Sequence, residues 1–433
     1  MTEPASSHSP IGKPFLKYTL VTISFVIIAL HLFLGVDSSP FHGDESGWIS
    51  AGYYYYQLMF IDHNVNVESW ARKDFYAFGI VSPPVGKYLI GMAMHAFLPR
   101  GEYTYQYHFG KSESENAQLG NIPPPEVLRP TRLLAALFSL GTCSLLFWYC
   151  TKIWNWLVGV SAAFILSFNS LFTLFAQRAM TDAYIIFFFM LAQVCCIALY
   201  NRWNNKKAFL FVSALSGIVA GLSAGTKLNG MIVMLYTWIL IVYLLAVGRG
   251  KAQRSVLFYI ASGVLTMICA IITFAILNPV FYTFSPAEFF DRLTLTVDRW
   301  NELIAHQQKI FPEYAIHGTY SVILSRISMD YFHVVFFCFA IVGIIRAGSH
   351  VVRAAARKQA NIMLNPIVFF LVNVIILGLW IPLDWDRYYL PIILAEVPVA
   401  AYGLFEVADI ILPKLTRRLI SPAKSTVNVK ARA

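Results

Sequence analysis

Charged residues are scarce in this 433-residue chain, at 13% of the composition, whereas hydrophobic residues make up 58%. A water-soluble domain of this length cannot bury so much apolar surface, so the composition excludes a soluble protein and indicates several membrane spans. The sequence also lacks a P-loop and a G-x-G-x-x-G fingerprint. The sequence therefore lacks the nucleotide-binding motifs that nucleotide-driven transporters use.

Only six cysteines occur, and all of them fall within the predicted spans. Their spacing matches neither a disulfide framework nor a zinc site, so we interpret them as small buried hydrophobic residues. No cofactor is predicted with certainty. A divalent metal remains compatible with the acidic residues and histidines, but no spacing specifies a metal site.

Apolar runs of roughly 17–25 residues predict an all-α polytopic membrane protein with about ten transmembrane helices. Basic residues collect in alternate connecting segments, and this positive-inside pattern places both termini in the cytoplasm. The basic residues behind the net charge of +10 then serve to orient the chain in the membrane. No nucleic-acid partner is therefore expected. We expect a multi-pass protein surrounded by membrane lipids, in the plasma (inner) membrane if the source is prokaryotic. The predicted spans are residues 16–36, 133–151, 156–175, 183–200, 208–225, 229–247, 256–277, 329–345, 366–383 and 389–412.

The predicted organisation is a single membrane domain over residues 1–412 and a basic cytoplasmic tail over residues 413–433, expected to be disordered. Two extracytoplasmic segments are long, residues 37–132 and 279–328, and long loops in compact proteins are usually functional. Residues 85–98, in the first of them, are apolar but too few to span, which predicts an interfacial helix. Ser285-Pro286-Ala287-Glu288, in the second, predicts the capped start of an amphipathic helix.

Two adjacent carboxylates, Asp44 and Glu45, follow the first predicted span. A carboxylate at the membrane surface can take a proton from an incoming hydroxyl while a second substrate stays anchored in lipid. The plainer interpretation is an exposed acidic loop. The cations on the same side of the membrane favour a reaction centre.

Three cations run against the positive-inside trend in short extracytoplasmic turns: Arg178, Lys227 and Arg387. Ion pairs could explain them, such as Arg178 with Asp182 or Arg387 with a neighbouring aspartate. Their convergence on one membrane face is also typical of a site for a lipid-linked phosphate, which arginine grips bidentately and lysine binds as a point charge.

The order of these groups resembles the phospholipid-carrier-dependent glycosyltransferases, specifically the protein O-mannosyltransferase family of the GT-C fold. Unlike eukaryotic members, this chain has no large soluble domain in its second long loop, and Ser82 replaces a histidine of the family motif. Sister families that transfer aminoarabinose or hexoses to lipid or polysaccharide share the fold and the acidic motif. The resembling motifs are His42-Gly43-Asp44-Glu45, Ser82-Pro83-Pro84-Val85-Gly86-Lys87, Arg178 with Asp182, Gly221 to Gly230 around Lys227, and Arg387-Tyr388-Tyr389-Leu390-Pro391.

The resemblance implies an inverting transfer of mannose or a related hexose from a polyprenyl-phosphate donor to a hydroxyl acceptor, protein Ser/Thr, on the extracytoplasmic side of the membrane. The alternative acceptors are a lipid A-like lipid and a cell-surface polysaccharide. The resemblance also implies Asp44 as the catalytic base, with Glu45 orienting the acceptor or steadying a cation. Arg178, Lys227 and Arg387 would bind the donor phosphate, and Lys87 and Asp182 would position the acceptor or the loops. No metal ligands are assigned.

A membrane transporter is the alternative from a different class, because charged residues within membranes are usually functional. It predicts carboxylates near mid-membrane and paired halves with broken helices. Glu396 is the one acidic residue well inside a predicted span, and no halves repeat.

Overall fold

The computed structural model describes residues 12–70, 81–248, 255–283, 285–315, 319–326, 334–377, 379, 381 and 383–412. The predicted tail, residues 413–433, lies outside the described residues, as does the start of the predicted eighth span. Secondary structure in the described part is helical apart from one isolated antiparallel bridge between Ala315 and Leu383. The predicted all-α class is confirmed.

The helices are numbered in chain order, and short 3-10 or π segments extend some of them. The 3-10 segments Leu228–Ile232 and Asp386–Tyr389 lead into the helices that begin at Val233 and Leu390, and π segments follow the helices that end at Tyr56 and Val372. The helices are α1 (Gly12–Leu34), α2 (Gly43–Tyr56), α3 (Val67–Trp70), α4 (Val85–Phe97), α5 (Glu113–Gln118), α6 (Pro125–Ile153), α7 (Trp156–Ser167), α8 (Ser170–Ala176), α9 (Asp182–Asn201), α10 (Lys206–Thr226), α11 (Val233–Gly248), α12 (Val256–Leu277), α13 (Pro286–Ile310), α14 (Thr319–Ser325), α15 (Val334–Ala356), α16 (Leu364–Val372) and α17 (Leu390–Ile411).

Within the described residues, eight helices are long and apolar enough to cross a membrane: α1, α6, α9, α10, α11, α12, α15 and α17. The predicted span 156–175 corresponds to the pair α7 and α8, which is bent by 71° and counts as a ninth span if the pair crosses as one. Asn169 caps α8 by accepting a hydrogen bond from the Phe172 N–H at 3.0 Å, which starts a new helix direction there. The predicted span 366–383 corresponds to a shorter apolar helix, Leu364–Ile376.

Helices α9 and α17 form the enclosed centre of the bundle, with 72% and 78% of their apolar windows buried. Helices α1, α12 and α15 are at most 17% buried over theirs. Because they expose apolar side chains, these three helices are suited to face lipid. The first residues of α9 and α17 and the last of α10 meet at one end of the bundle, where the candidate site lies.

The segment between α1 and α6 folds onto this end of the bundle through α2 and α4. Gly52 and Gly91 allow the two helices to touch, since a Cβ on Gly91 would lie 2.3 Å from the Gly52 carbonyl oxygen. Helix α4 has 13 residues, about 20 Å of helix against a hydrocarbon core of about 30 Å. The prediction of a short helix that does not span is confirmed.

The second long segment contains the predicted amphipathic helix, α13. The predicted cap is present, because the Ser285 hydroxyl accepts from the Glu288 N–H at 3.4 Å. Phe289 packs on Phe281 with ring centroids 5.4 Å apart, which fixes the start of α13 directly after α12.

Candidate active site at the start of helix α2

A reciprocal cap at the N-terminus of α2 positions the two predicted carboxylates. His42 Nδ1 accepts from the Asp44 N–H at 3.2 Å, and Glu45 Oε2 accepts from the His42 N–H at 3.0 Å. Burial is the main cause that lowers the pKa of His42 below its usual value, so its ring is neutral at neutral pH and Nδ1 can accept. Successive helical residues point about 100° apart, so Asp44 and Glu45 face different surroundings.

Asp44 faces the cations. Its Oδ2 accepts a 2.5 Å hydrogen bond from Arg387 Nη1, and its side chain is 16% exposed. Burial alone would raise the pKa of Asp44, but Arg387 and, to smaller extents, His42 and Lys227 hold that pKa below its usual value. Asp44 Oδ1 has no hydrogen-bond partner in the described part of the chain. The site therefore contains an ionised carboxylate with one oxygen free to accept a proton.

Glu45 is fully buried, and both of its oxygens are engaged. Oε1 accepts from Arg132 Nε at 2.8 Å and from the Ala179 N–H at 2.8 Å, while Oε2 accepts from Arg132 Nη2 at 2.7 Å and from the His42 N–H. This carboxylate ties α2 to α6 and to the turn before α9. We infer a positioning role for Glu45, because no oxygen remains exposed to a substrate.

Lys227 and Asp182 form an ion pair of 2.6 Å between the end of α10 and the start of α9. Burial lowers the pKa of Lys227, and the Asp182 carboxylate opposes that shift. The ion pair considered from sequence, Arg178 with Asp182, is absent from the described contacts, since Lys227 takes that partner. Arg387 also acts on the pKa of Lys227, which places both cations in one electrostatic neighbourhood.

Arg178 lies in the turn between α8 and α9 with no ion pair inside 4 Å among the described residues. Its Nε donates to the Pro40 carbonyl at 3.4 Å, and its guanidinium lies 5.6 Å from the Phe175 ring centroid. Burial lowers the pKa of Arg178, whereas Glu45 and, more weakly, Asp44 favour its charge. Its charge is not neutralised by direct contact, so it remains able to bind an anion.

Lys87 is buried beside the site, in the first turn of α4. Its Nζ donates to the Ser82 carbonyl at 2.6 Å and lies 4.2 Å from the Tyr55 ring centroid, and burial holds its pKa well below the usual value. The adjacent Gly86 packs on Thr181, because a Cβ there would lie 2.3 Å from Thr181 Cγ2. The start of α4 therefore supports the turns that carry Asp182 and Lys227.

The structure thus brings Asp44, Arg387, Lys227 and Asp182 into one charged cluster, with Glu45 and Arg178 adjoining it. Sequence reasoning missed Arg132, although an arginine just inside the apolar helix α6 was a usable signal. It also missed the Arg326–Asp384 pair at 2.6 Å, which with the Tyr389 hydroxyl holds the segment leading to α17. No local pattern marks that pair, which joins residues 58 positions apart.

No group of three His, Cys, Asp or Glu side chains converges as a metal site within the residues that the structure covers. Each of the three described carboxylates at the site has a cation partner, Arg387 for Asp44, Arg132 for Glu45 and Lys227 for Asp182.

A sequence model of the family described as dolichyl-phosphate-mannose-protein mannosyltransferase matches residues 48–285. The match contains Lys87, Arg178 and Lys227, whereas Asp44 lies just before it and Arg387 beyond it. No curated protein sequence matches the chain with significance.

Solved structures of membrane glycosyltransferases share the fold. The Archaeoglobus fulgidus oligosaccharyltransferase in the apo form aligns with a TM-score of 0.58 at 14% identity, covering 95% of this chain and 53% of that one. The oligosaccharyltransferase AglB from the same archaeon, in complex with an inhibitory peptide and a dolichol-phosphate, gives 0.58 at 13% identity, with coverages of 94% and 52%. ArnT from Cupriavidus metallidurans bound to undecaprenyl phosphate gives 0.53 at 13% identity, with coverages of 89% and 60%.

This chain spans about half the length of the archaeal structures. At these identities the likeness establishes the fold, which is of the GT-C type predicted from sequence. The family model covers more than half of the chain. The protein belongs to the dolichyl-phosphate-mannose-protein mannosyltransferase family.

Proposed function

We propose that this protein is an inverting glycosyltransferase that moves mannose from a polyprenyl-phosphate donor to a Ser/Thr hydroxyl of a polypeptide. The family match supports the class of reaction. The dolichol-phosphate in the archaeal complex and the undecaprenyl phosphate in ArnT support a polyprenyl-phosphate carrier. The mannose donor and the polypeptide acceptor rest on the family resemblance.

The observation that carries the proposal is the Asp44 carboxylate, ionised and with Oδ1 unpartnered, beside the cations Arg387 and Lys227. Acceptor activation needs a base, and phosphate departure needs positive charge. Both are present within one contact network. A single carboxylate is sufficient, because a phosphate monoester leaves without a general acid, unlike the sugar alcohol in glycoside hydrolysis.

In the proposed step, the acceptor oxygen attacks the anomeric carbon while its proton passes to Asp44 Oδ1. The bond between the anomeric carbon and the phosphate oxygen breaks, and its electron pair leaves with polyprenyl phosphate. Arg387, Lys227 and Arg178 stabilise that charge. One displacement inverts the configuration at the anomeric carbon.

Binding of the donor also increases the basicity of Asp44. Arg387 is paired with Asp44, which weakens the basicity of the carboxylate. A donor phosphate competes for the same guanidinium through charge-assisted hydrogen bonds. As Arg387 turns toward the phosphate, the Asp44 carboxylate becomes the stronger base, so the acceptor is activated once the donor is bound.

We place this site on the extracytoplasmic face, with both termini in the cytoplasm, on the positive-inside pattern of the loops. The same fold would also serve a lipid or glycan acceptor. The transporter alternative gains no support from the family or the fold.

The test supplies purified protein with radiolabelled mannose on polyprenyl phosphate and three acceptors in parallel: a Ser/Thr peptide, a lipid A-type glycolipid and a polysaccharide. Label entering the peptide, with the anomeric configuration of the transferred mannose opposite to that in the donor, supports the proposal. Label entering only lipid or polysaccharide would reject the polypeptide acceptor. No transfer of mannose to any of the three acceptors would reject the proposed reaction.

A further inference from the structure

The segment from Gly101 to His108, between α4 and α5, belongs to no helix and alternates in burial as an extended strand does. Its side chains alternate: Tyr103, Tyr105 and Tyr107 are partly buried, and the residues between them are exposed. The Ser50 hydroxyl accepts from the Tyr105 N–H at 2.6 Å and donates to the Tyr105 carbonyl at 3.0 Å. Both backbone groups of Tyr105 therefore point to one side, toward α2, as they do in an extended strand.

The opposite edge of this segment is open at Thr104 and Gln106 and closed at His108, whose N–H donates to Asn116 Oδ1 at 2.8 Å and whose carbonyl accepts from Asn116 Nδ2 at 3.0 Å. In an extended chain the backbone groups of alternate residues point to opposite sides, so those of Thr104 and Gln106 point away from α2. They make no hydrogen bond within the described part of the chain, and both residues are exposed. Unpaired backbone groups are not tolerated against hydrocarbon. This edge must lie in water, where it is a template for another strand.

The open edge leads to the proposed base. The Tyr107 and Phe109 rings cover Gly43, where a Cβ would lie 2.5 Å from Tyr107 Cδ1 and 2.9 Å from Phe109 Cε1. Gly43 immediately precedes Asp44 in the first turn of α2. At about 3.3 Å per residue, Thr104 lies roughly 10 Å along the strand from Tyr107. A chain paired with Thr104 and Gln106 therefore extends toward Asp44 within a few residues.

We infer that the edge formed by Thr104 and Gln106 binds the acceptor as an added β-strand, and that the acceptor is an extended polypeptide. This rests on the proposed function. Main-chain pairing contributes affinity without depending on side-chain identity, so the site accepts many sequences around the modified Ser/Thr. A glycan has no regular array of amide donors and acceptors to match this edge.

The experiment uses wild-type protein, radiolabelled mannose on polyprenyl phosphate, and one acceptor peptide carrying a single backbone N-methyl group at successive positions. The peptide KM should rise at every second position, by roughly 2- to 12-fold for each lost hydrogen bond, with little change between and an unchanged donor KM. A uniform rise at all positions, or none, would overturn strand addition. No label in any peptide would overturn the polypeptide acceptor itself, so the two failures are distinguishable.

A protein variant provides the complementary test. Gln106→Pro removes the backbone donor at the edge, whereas Gln106→Ala shortens the side chain and keeps that donor. Only the proline variant should raise the peptide KM, with the donor KM as the readout that its fold is intact. Equal increases for both variants would assign binding to the side chain and contradict the inference.

Discussion

A 2.5 Å hydrogen bond joins Arg387 Nη1 to Asp44 Oδ2 across 343 positions of sequence. It connects the first turn of α2 to the 3-10 segment that leads into α17. The same guanidinium lies 4.4 Å from the Trp385 ring centroid, which limits its orientation. In the proposed reaction, this arginine keeps the base ionised before the donor arrives and stabilises the leaving phosphate afterwards.

Asp44→Asn should lower the transfer rate by roughly 10²–10⁴, the usual contribution of a positioned base. Asparagine keeps the size of the side chain and an oxygen for Arg387 but cannot accept the acceptor's proton. Donor binding, measured with polyprenyl phosphate, should remain. Asp62→Asn is the matched control, since Asp62 is exposed and accepts from the Gln57 side chain outside the site. A near wild-type rate for Asp44→Asn would exclude it as the base.

The pH profile of kcat/KM reports the ionisations of the free enzyme. In Arg387→Gln, the acid limb of this profile should move to higher pH. Burial alone would raise the pKa of Asp44, and Arg387 is the largest influence that lowers it. The wild-type limb attributable to Asp44 should lie below its ordinary pKa of 3.8, and the variant limb above the wild-type one. Arg346→Gln, which removes a pair with Glu406 in α17, should leave the limb in place. An unmoved limb in Arg387→Gln would show that another group governs it.

Arg132→Met should destabilise the fold by about 3–5 kcal/mol, because it leaves the fully buried Glu45 carboxylate without its cation. The matched control is Arg129→Met. Its pair with Asp37 is 65% exposed on both sides and should contribute under about 1 kcal/mol. Denaturant unfolding in detergent measures both. Similar losses for the two variants would contradict the positioning role assigned to the Glu45–Arg132 pair.

Glu396→Leu should raise the melting temperature in detergent. Glu396 is fully buried in α17, and neither carboxylate oxygen has a hydrogen-bond partner in the described part of the chain, so its burial costs stability. Glu396→Gln keeps an unpartnered polar group and should gain less. Loss of sugar transfer in a folded Glu396→Leu protein would instead assign this carboxyl a part in the reaction.

Labelling with a membrane-impermeant maleimide should modify Gln118→Cys and spare Lys207→Cys in intact cells, since the proposed topology puts these positions on opposite sides. Both positions are exposed. The nearby Asn116 is unsuitable because it is fully buried and organises its loop through hydrogen bonds to the His108 and Ser112 carbonyls. The reverse labelling pattern would show that the topology is the opposite of the one proposed.

The sequence by itself determined the helical membrane class, most of the spans, the short helix α4 and the capped start of α13. These features follow from apolar run length and from residues within a few positions of one another. It also singled out Asp44, Arg178, Lys227 and Arg387, because charges stand out against apolar surroundings. The bend between α7 and α8 escaped it, since a continuous apolar pattern does not reveal a cap inside it.

Only the tertiary structure decided which charges are partners. Asp182 pairs with Lys227, 45 positions away, rather than with Arg178 on the next turn. Glu45 pairs with Arg132, 87 positions away, and is thereby buried, whereas the adjacent Asp44 keeps a free oxygen beside Arg387. Ion pairing depends on how distant helix ends approach one another, and a local pattern carries no information about that approach. Two neighbouring carboxylates that look equivalent in the sequence therefore have different surroundings, because the helices packed around α2 enclose Glu45 and leave Asp44 accessible.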